Sequence, residues 1–272
     1  MPAQGYHPSL NNSAGARAMF HLRERNYRYF VALPIFVSFI WFSSLLAMLL
    51  TWIISGRPRY VSQEGSIAYI SDVGASFLKP LFVVACCITG VGFLLSLVLE
   101  RLLRHRGRLA PGMRKREHVL GTLAIIGAFI AMWGLILLSG FDTGRYPSLH
   151  RVFLLVFMVG VALSAIFTVL EFRWIAHDYA DVKKLRRAYI AKAVIAGTLV
   201  LLGIVFGITL FYVPNVGAVI EWTIAFGFTF YLLTFYYDLR MAKYRPTRES
   251  KEMMVEIPRG DGSSDGAEGS QA

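Results

Sequence analysis

Cysteine is nearly absent from this chain: Cys86 and Cys87 are the only two in 272 residues, side by side in an apolar run. Neighbouring helical positions point in different directions, so the pair forms neither a disulfide framework nor a zinc-ligand set, and both read as small packing residues. Charge is scarce too, at 17% of residues, where a soluble domain carries about 25%. With 56% hydrophobic residues, that shortfall argues against a soluble globular protein. Also missing are a glycine-rich phosphate loop followed by lysine and a serine in a nucleophile-elbow context. Neither a cofactor nor a metal is expected.

What the chain does have is long apolar runs. The first, Phe30 to Ile54, is far longer than the roughly 7 to 15 residues of a signal-peptide core and is expected to stay in place. Five more run near Phe77 to Leu99, Val119 to Leu138, Val152 to Phe172, Ala193 to Val213 and Ala218 to Tyr237. Crossing about 30 Å of hydrocarbon takes about 20 helical residues, and each run meets that length. The expected fold is all-α: a polytopic membrane protein with six transmembrane helices. Residues 1–29 form a cytoplasmic N-terminal tail in this reading, 30–240 the membrane domain, and 241–272 a disordered cytoplasmic tail.

Lysine and arginine set the orientation. Of 28 such residues, 23 fall in the two ends and in the 101–118 and 173–192 segments, leaving Arg57, Arg59, Lys79, Arg145 and Arg151 for the opposite loops. Both termini are therefore expected in the cytoplasm. The net charge of +11 then faces anionic lipid and carries no argument for nucleic acid. Arg104, Arg106, Arg108, Arg114, Lys115 and Arg116, with Lys183, Lys184, Arg186 and Arg187, are the candidate anionic-lipid contacts. Small residues four apart, as in Gly127 and Ala131, Gly160 with Ser164 and Thr168, and Gly203 and Gly207, predict close helix packing within the bundle. Trp52, Trp174 and Trp222 near span ends read as interface anchors.

Three outer helices follow short polar turns: Ser71-Asp72-Val73-Gly74-Ala75, Phe141-Asp142-Thr143-Gly144 and Pro214-Asn215-Val216-Gly217-Ala218. An Asp or Asn just ahead of a helix can accept from its first free amides, and glycine permits the reversal, so capping competes with function at Asp72 and Asn215. Capping explains less about Glu221, about one turn inside the sixth span beside Trp222, where an ionisable group is costly. His150 and Arg151 open the fourth span. Ser71, Asp72, Asp142, His150, Arg151, Glu221 and Trp222 form the candidate polar cluster, able to bind a lipid headgroup or to fix helix packing.

Ile70-Ser71-Asp72-Val73-Gly74 after a first span, Phe141-Asp142-Thr143 followed by His150-Arg151, and Glu221-Trp222 at the sixth resemble the six-span family of damage-regulated autophagy modulators (DRAM) and the yeast suppressor-of-four-kinase protein. Glycosylphosphatidylinositol (GPI) anchor remodelling factors are more distant members. The resemblance covers about residues 30–240, and the family's usual Ser-Asp-Thr-Gly turn reads Ser-Asp-Val-Gly here. It implies a protein of the plasma membrane, or of endolysosomal, vacuolar, Golgi or ER membranes, acting in autophagy, phosphoinositide signalling or lipid organisation. Implied partners are membrane lipids, anionic phospholipids among them, and a cytoplasmic lipid kinase complex. A non-enzymatic lipid-organising protein is the expected function. A lipid-modifying enzyme related to GPI-anchor remodelling is the alternative, disfavoured by a single candidate histidine. A transporter ranks last, because the mid-span residues are almost purely apolar.

Overall fold

The computed structural model describes the backbone of residues 11–105, 115–178 and 183–241, with side chains described over 30–103, 116, 118–171, 173 and 189–240. Among the described residues seven helices follow in chain order: α1 (Asn11–Ile54), α2 (Ile70–Gly74), α3 (Lys79–His105), α4 (Lys115–Gly140), α5 (Pro147–Asp178), α6 (Lys183–Tyr212) and α7 (Pro214–Met241). All but α2 are long and apolar enough to cross a membrane. A lipid-surrounded segment must satisfy its amides internally, and a helix does so. This is an integral membrane protein. α1 begins at Asn11, so helix runs back into the stretch read from sequence as a tail.

The spans form a closed ring in which α1 packs on α3 and α7, α4 joins α3 to α5, and α6 leans on α7. The tightest seam is α4 on α5, and glycine makes it possible. A methyl group on Gly127 would lie 2.7 Å from the Ser164 amide nitrogen, and one on Gly160 would lie 2.5 Å from that of Ala131. The expected close packing holds there. It fails at Gly203 and Gly207: a methyl on Gly203 would meet only the flexible end of Met158, and one on Gly207 would meet nothing within 4 Å. The α5–α6 seam is correspondingly loose.

An aromatic column fills the centre. Phe228 of α7 packs edge-on against Trp41, Phe93 and Phe157 and stacks on Tyr231, while Phe93 also meets Phe235. Trp41 donates its indole N–H to the Ala225 carbonyl at 2.9 Å. Trp52 and Trp222 depart from the anchoring role expected of them, for both are buried and donate to loop carbonyls of Pro58 and Ala68. Trp174 lies outside the described side chains.

Candidate functional site

The end of the bundle holding the 55–78 and 141–146 connections is its polar cap. Around Asp72 the cap is a lid tied down by α7. Asp72 is the third residue of α2 and reaches back to accept the Tyr69 amide at 3.0 Å, the carboxylate half of a capping box. Its other oxygen accepts the Ser62 hydroxyl at 2.5 Å. Glu221 accepts the Ile70 amide at 2.7 Å, and Trp222 donates to the Ala68 carbonyl at 3.0 Å. The Asn215 side-chain oxygen receives the amides of Ser66 and Ile67 and the Ser66 hydroxyl, so it holds the loop rather than capping its own helix. Tyr69 completes the clasp by donating to the Pro214 carbonyl at 2.9 Å. Ser71 contributes its backbone carbonyl to the α2 turn, where Ala75 donates to it; the hydroxyl serving Asp72 comes instead from Ser62.

A second group forms beside the first. Asp142 pairs with Lys79 of α3 and accepts the Arg145 amide at 2.7 Å, closing the turn that leads into Pro147 at the start of α5. His150 Nδ1 lies 2.8 and 2.9 Å from the carbonyl oxygens of Leu138 and Phe141. Carbonyls only accept, so Nδ1 carries the hydrogen, and Nε2 of the neutral ring is left as an acceptor. That Nε2 is buried and has no hydrogen-bond partner among the described residues. Arg151, half exposed, pairs with Glu64 at 2.6 Å. The electrostatic neighbours of His150 include both Asp72 and Asp142, and those of Glu221 include Asp72. The seven predicted residues thus gather at one end, with most of their polar atoms engaged in holding loops.

Burial pushes the Asp72 carboxyl above its ordinary pKa, although the bonds from Ser62 and Tyr69 favour its charged form. The Tyr69 phenol is pushed up to about 12, by burial first and by the nearby Glu221 and Glu64 carboxylates next. Asp142 goes the other way. Burial opposes its ionisation, but the Lys79 bond and the Arg145 amide outweigh it and hold the carboxyl below its ordinary value.

Beneath the lid lies a cavity of about 340 Å³, walled mainly by α5, α6 and α7 with Trp41 of α1, Phe82 of α3 and Leu135 and Leu138 of α4, and reaching from Ile70 and Glu221 at the cap to Tyr231 deeper in the bundle. Its walls are almost wholly apolar.

At the opposite end the structure buries charges that the sequence reading passed over. Lys192 of α6 pairs with Asp238 of α7 at 2.6 Å, and Arg101 of α3 pairs with Glu171 of α5 while donating to the His118 carbonyl. Glu100 is buried beside them in sequence. The mid-span stretches stay mainly apolar, but these span ends do not. Acidic residues among the basic ones at the last turn of a span were the available signal, but the basic residues there served only to set orientation. Of the candidate anionic-lipid contacts, Arg116 is exposed. The side chains of Arg104, Arg106, Arg108, Arg114, Lys115, Lys183, Lys184, Arg186 and Arg187 lie outside the described residues.

A family model described as the Frag1/DRAM/Sfk1/Cwh43P N-terminal domain matches residues 29–242. The chain is 29% identical over 216 residues to Protein sfk1 of Schizosaccharomyces pombe, an alignment covering 79% of this chain and 65% of that protein. To Protein SFK1 of Saccharomyces cerevisiae it is 28% identical over 179 residues, covering 55% of this chain and 51% of that one. It therefore spans between half and two thirds of the length of these relatives. No solved structure matches.

Proposed function

Because this chain belongs to the Frag1/DRAM/Sfk1/Cwh43P N-terminal domain family, we propose that it is a non-enzymatic membrane protein that organises bilayer lipids, and that its part in phosphoinositide signalling or autophagy follows from that. The observation carrying this reading is the use made of the cap carboxylates. Asp72, Glu221 and Asp142 accept loop amides or pair with lysine, which suits a rigid lid over an apolar bundle better than a reaction centre. Both termini face the cytoplasm in this proposal and the cap faces outward, at the plasma membrane. The basic loops, Lys183, Lys184, Arg186 and Arg187 among them, then meet anionic inner-leaflet lipid and a lipid kinase complex bound there.

The test is to extract the full chain with its surrounding bilayer in polymer nanodiscs and compare the retained lipids with the bulk membrane. Enrichment of a phospholipid class supports the reading. A composition equal to bulk overturns it.

One observation favours a second reading, that of a lipid-modifying enzyme: the buried His150 Nε2, without a hydrogen-bond partner among the described residues, is an available proton acceptor. Steady release of fatty acid from added phospholipid or GPI lipid, lost in His150→Gln, would establish that reading. No release from either removes it.

A further inference from the structure

The cavity under the lid is the feature that the cap does not explain. Leu155 and Val159 of α5 and Ile204 of α6 line it, yet they are 65%, 46% and 60% exposed on the outside of the bundle. Residues shared between a cavity wall and the outer surface mark its mouth, which lies between two membrane spans. The phase at that mouth is hydrocarbon. Small residues elsewhere in the bundle close a helix seam, as Gly127 and Gly160 do, but Gly203 and Gly207 line this cavity and leave the α5–α6 seam apart.

Dimensions and chemistry narrow the occupant. From Glu221 to Tyr231 is ten residues of α7, about 15 Å of helix at 1.5 Å per residue. That is half of the roughly 30 Å hydrocarbon core, the depth of a single leaflet. Among the described residues no lysine or arginine lines the cavity and Glu221 is its one acidic residue, so a phosphate group meets no described cation there. Water is no better suited, because a buried water needs two to four polar partners. An unfilled apolar space would leave its walls without contacts.

We infer that the cavity between α5 and α6 takes up one hydrocarbon chain of a bilayer lipid from the cap-side leaflet, with the headgroup remaining at the cap surface outside. The inference deepens the lipid-organising reading and rests on it for its role, but the binding itself is tested separately.

The probe is a phosphatidylcholine bearing a diazirine midway along one acyl chain, incorporated with the full-length protein into nanodiscs and photolysed. Ala165, Ala196 and Ala225 line the cavity and are at most 9% exposed, so lipid surrounding the bundle scarcely reaches them. Label is expected on these three residues as well as on outward-facing Phe39 and Phe211. In Gly203→Leu/Gly207→Leu, which fills the space, label on the three alanines should fall about tenfold, the effect of ~1.4 kcal/mol on an equilibrium. Label on Phe39 and Phe211 should be unchanged, which also reports that the variant is folded in the bilayer. Absence of label on the alanines of the unsubstituted protein, or equal label in the filled variant, overturns the site. Loss of label with unaltered lipid enrichment in polymer nanodiscs upholds the chain site and counts against the lipid-organising role.

Discussion

Glu221 accepts the Ile70 amide at 2.7 Å, joining residues 151 positions apart and tying the first turn of α2 to the start of α7. The amide is one of the free donors at a helix N-terminus, so the carboxyl acts as a cap supplied from another helix. Glutamine keeps an acceptor oxygen at the same reach and leucine does not. Glu221→Gln should therefore unfold within a degree or two of the unsubstituted protein, whereas Glu221→Leu should lose about 1–3 kcal/mol, the cost of an unsatisfied buried amide. Thermal unfolding in nanodiscs checks this. An equal loss in both variants would assign the stabilisation to the charge instead of the cap.

Asp142 gives a pH signature of defined sign. Its folded-state pKa lies below the ordinary value, so the stability it contributes is complete above the unfolded-state pKa of about 3.9 and disappears as pH falls through the lower folded value. Asp72, raised by burial, acts oppositely: its ionisation weakens the folded state as pH rises from the ordinary value through the raised one. The informative quantity is therefore the difference between the unsubstituted protein and Asp142→Asn. It should be largest at neutral pH and shrink as pH falls below about 4. A difference constant from pH 7 to pH 3 would show that the Lys79 pair contributes nothing pH-dependent.

Two glycines on the same kind of apolar helix should respond differently to alanine. At Gly160 the new methyl would lie 2.5 Å from the Ala131 backbone nitrogen, and backbone in a packed seam has little room to shift. Gly160→Ala should cost about 1–3 kcal/mol through overpacking. Gly207→Ala meets nothing within 4 Å and should be neutral or slightly stabilising, since alanine is the better helix former by about 1 kcal/mol. Melting temperatures in the reverse order would contradict the seam geometry.

The spans were legible because bilayer thickness fixes a run length: four of the six predicted runs fall inside their helices, while Phe77 to Leu99 starts two residues before α3 and Ala193 to Val213 ends one residue after α6. Asp72, Asp142, His150, Arg151 and Glu221 were legible as a set because a polar group at a span end needs a partner. Their partners were not, since Ser62, Lys79, Glu64 and the Ile70 amide come from other elements and no local pattern announces them. Glycine spacing was ambiguous for a physical reason: the same four-residue interval lets two helices touch at Gly160 and leaves them apart at Gly207. Only the neighbouring helix decides which. Lys192 and Asp238 were missed because a charge near a span end normally reaches water, and here the helices turn both inward.

That inward pair carries the last prediction. Lys192 Nζ lies 2.6 Å from Asp238 and 3.7 Å from the centre of the Phe235 ring, and both charged residues are at most 3% exposed. Removing one partner takes this pairing from a buried charge, at about 3–5 kcal/mol, whereas replacing both by apolar residues of similar size is often neutral. Lys192→Met and Asp238→Asn should each destabilise the bundle strongly, and Lys192→Met/Asp238→Leu should recover most of the loss. A double variant as unstable as the sum of the two would show that the residues act through different partners. The location gives the pair a second consequence. With the α5–α6 seam loose, α6 is held to the bundle chiefly through α7, and this pair fastens it at the end away from the cap. The recovered double variant should therefore keep its fold while labelling by the photoreactive chain becomes less confined to Ala165, Ala196 and Ala225, because α6 no longer has a fixed pivot beside the cavity.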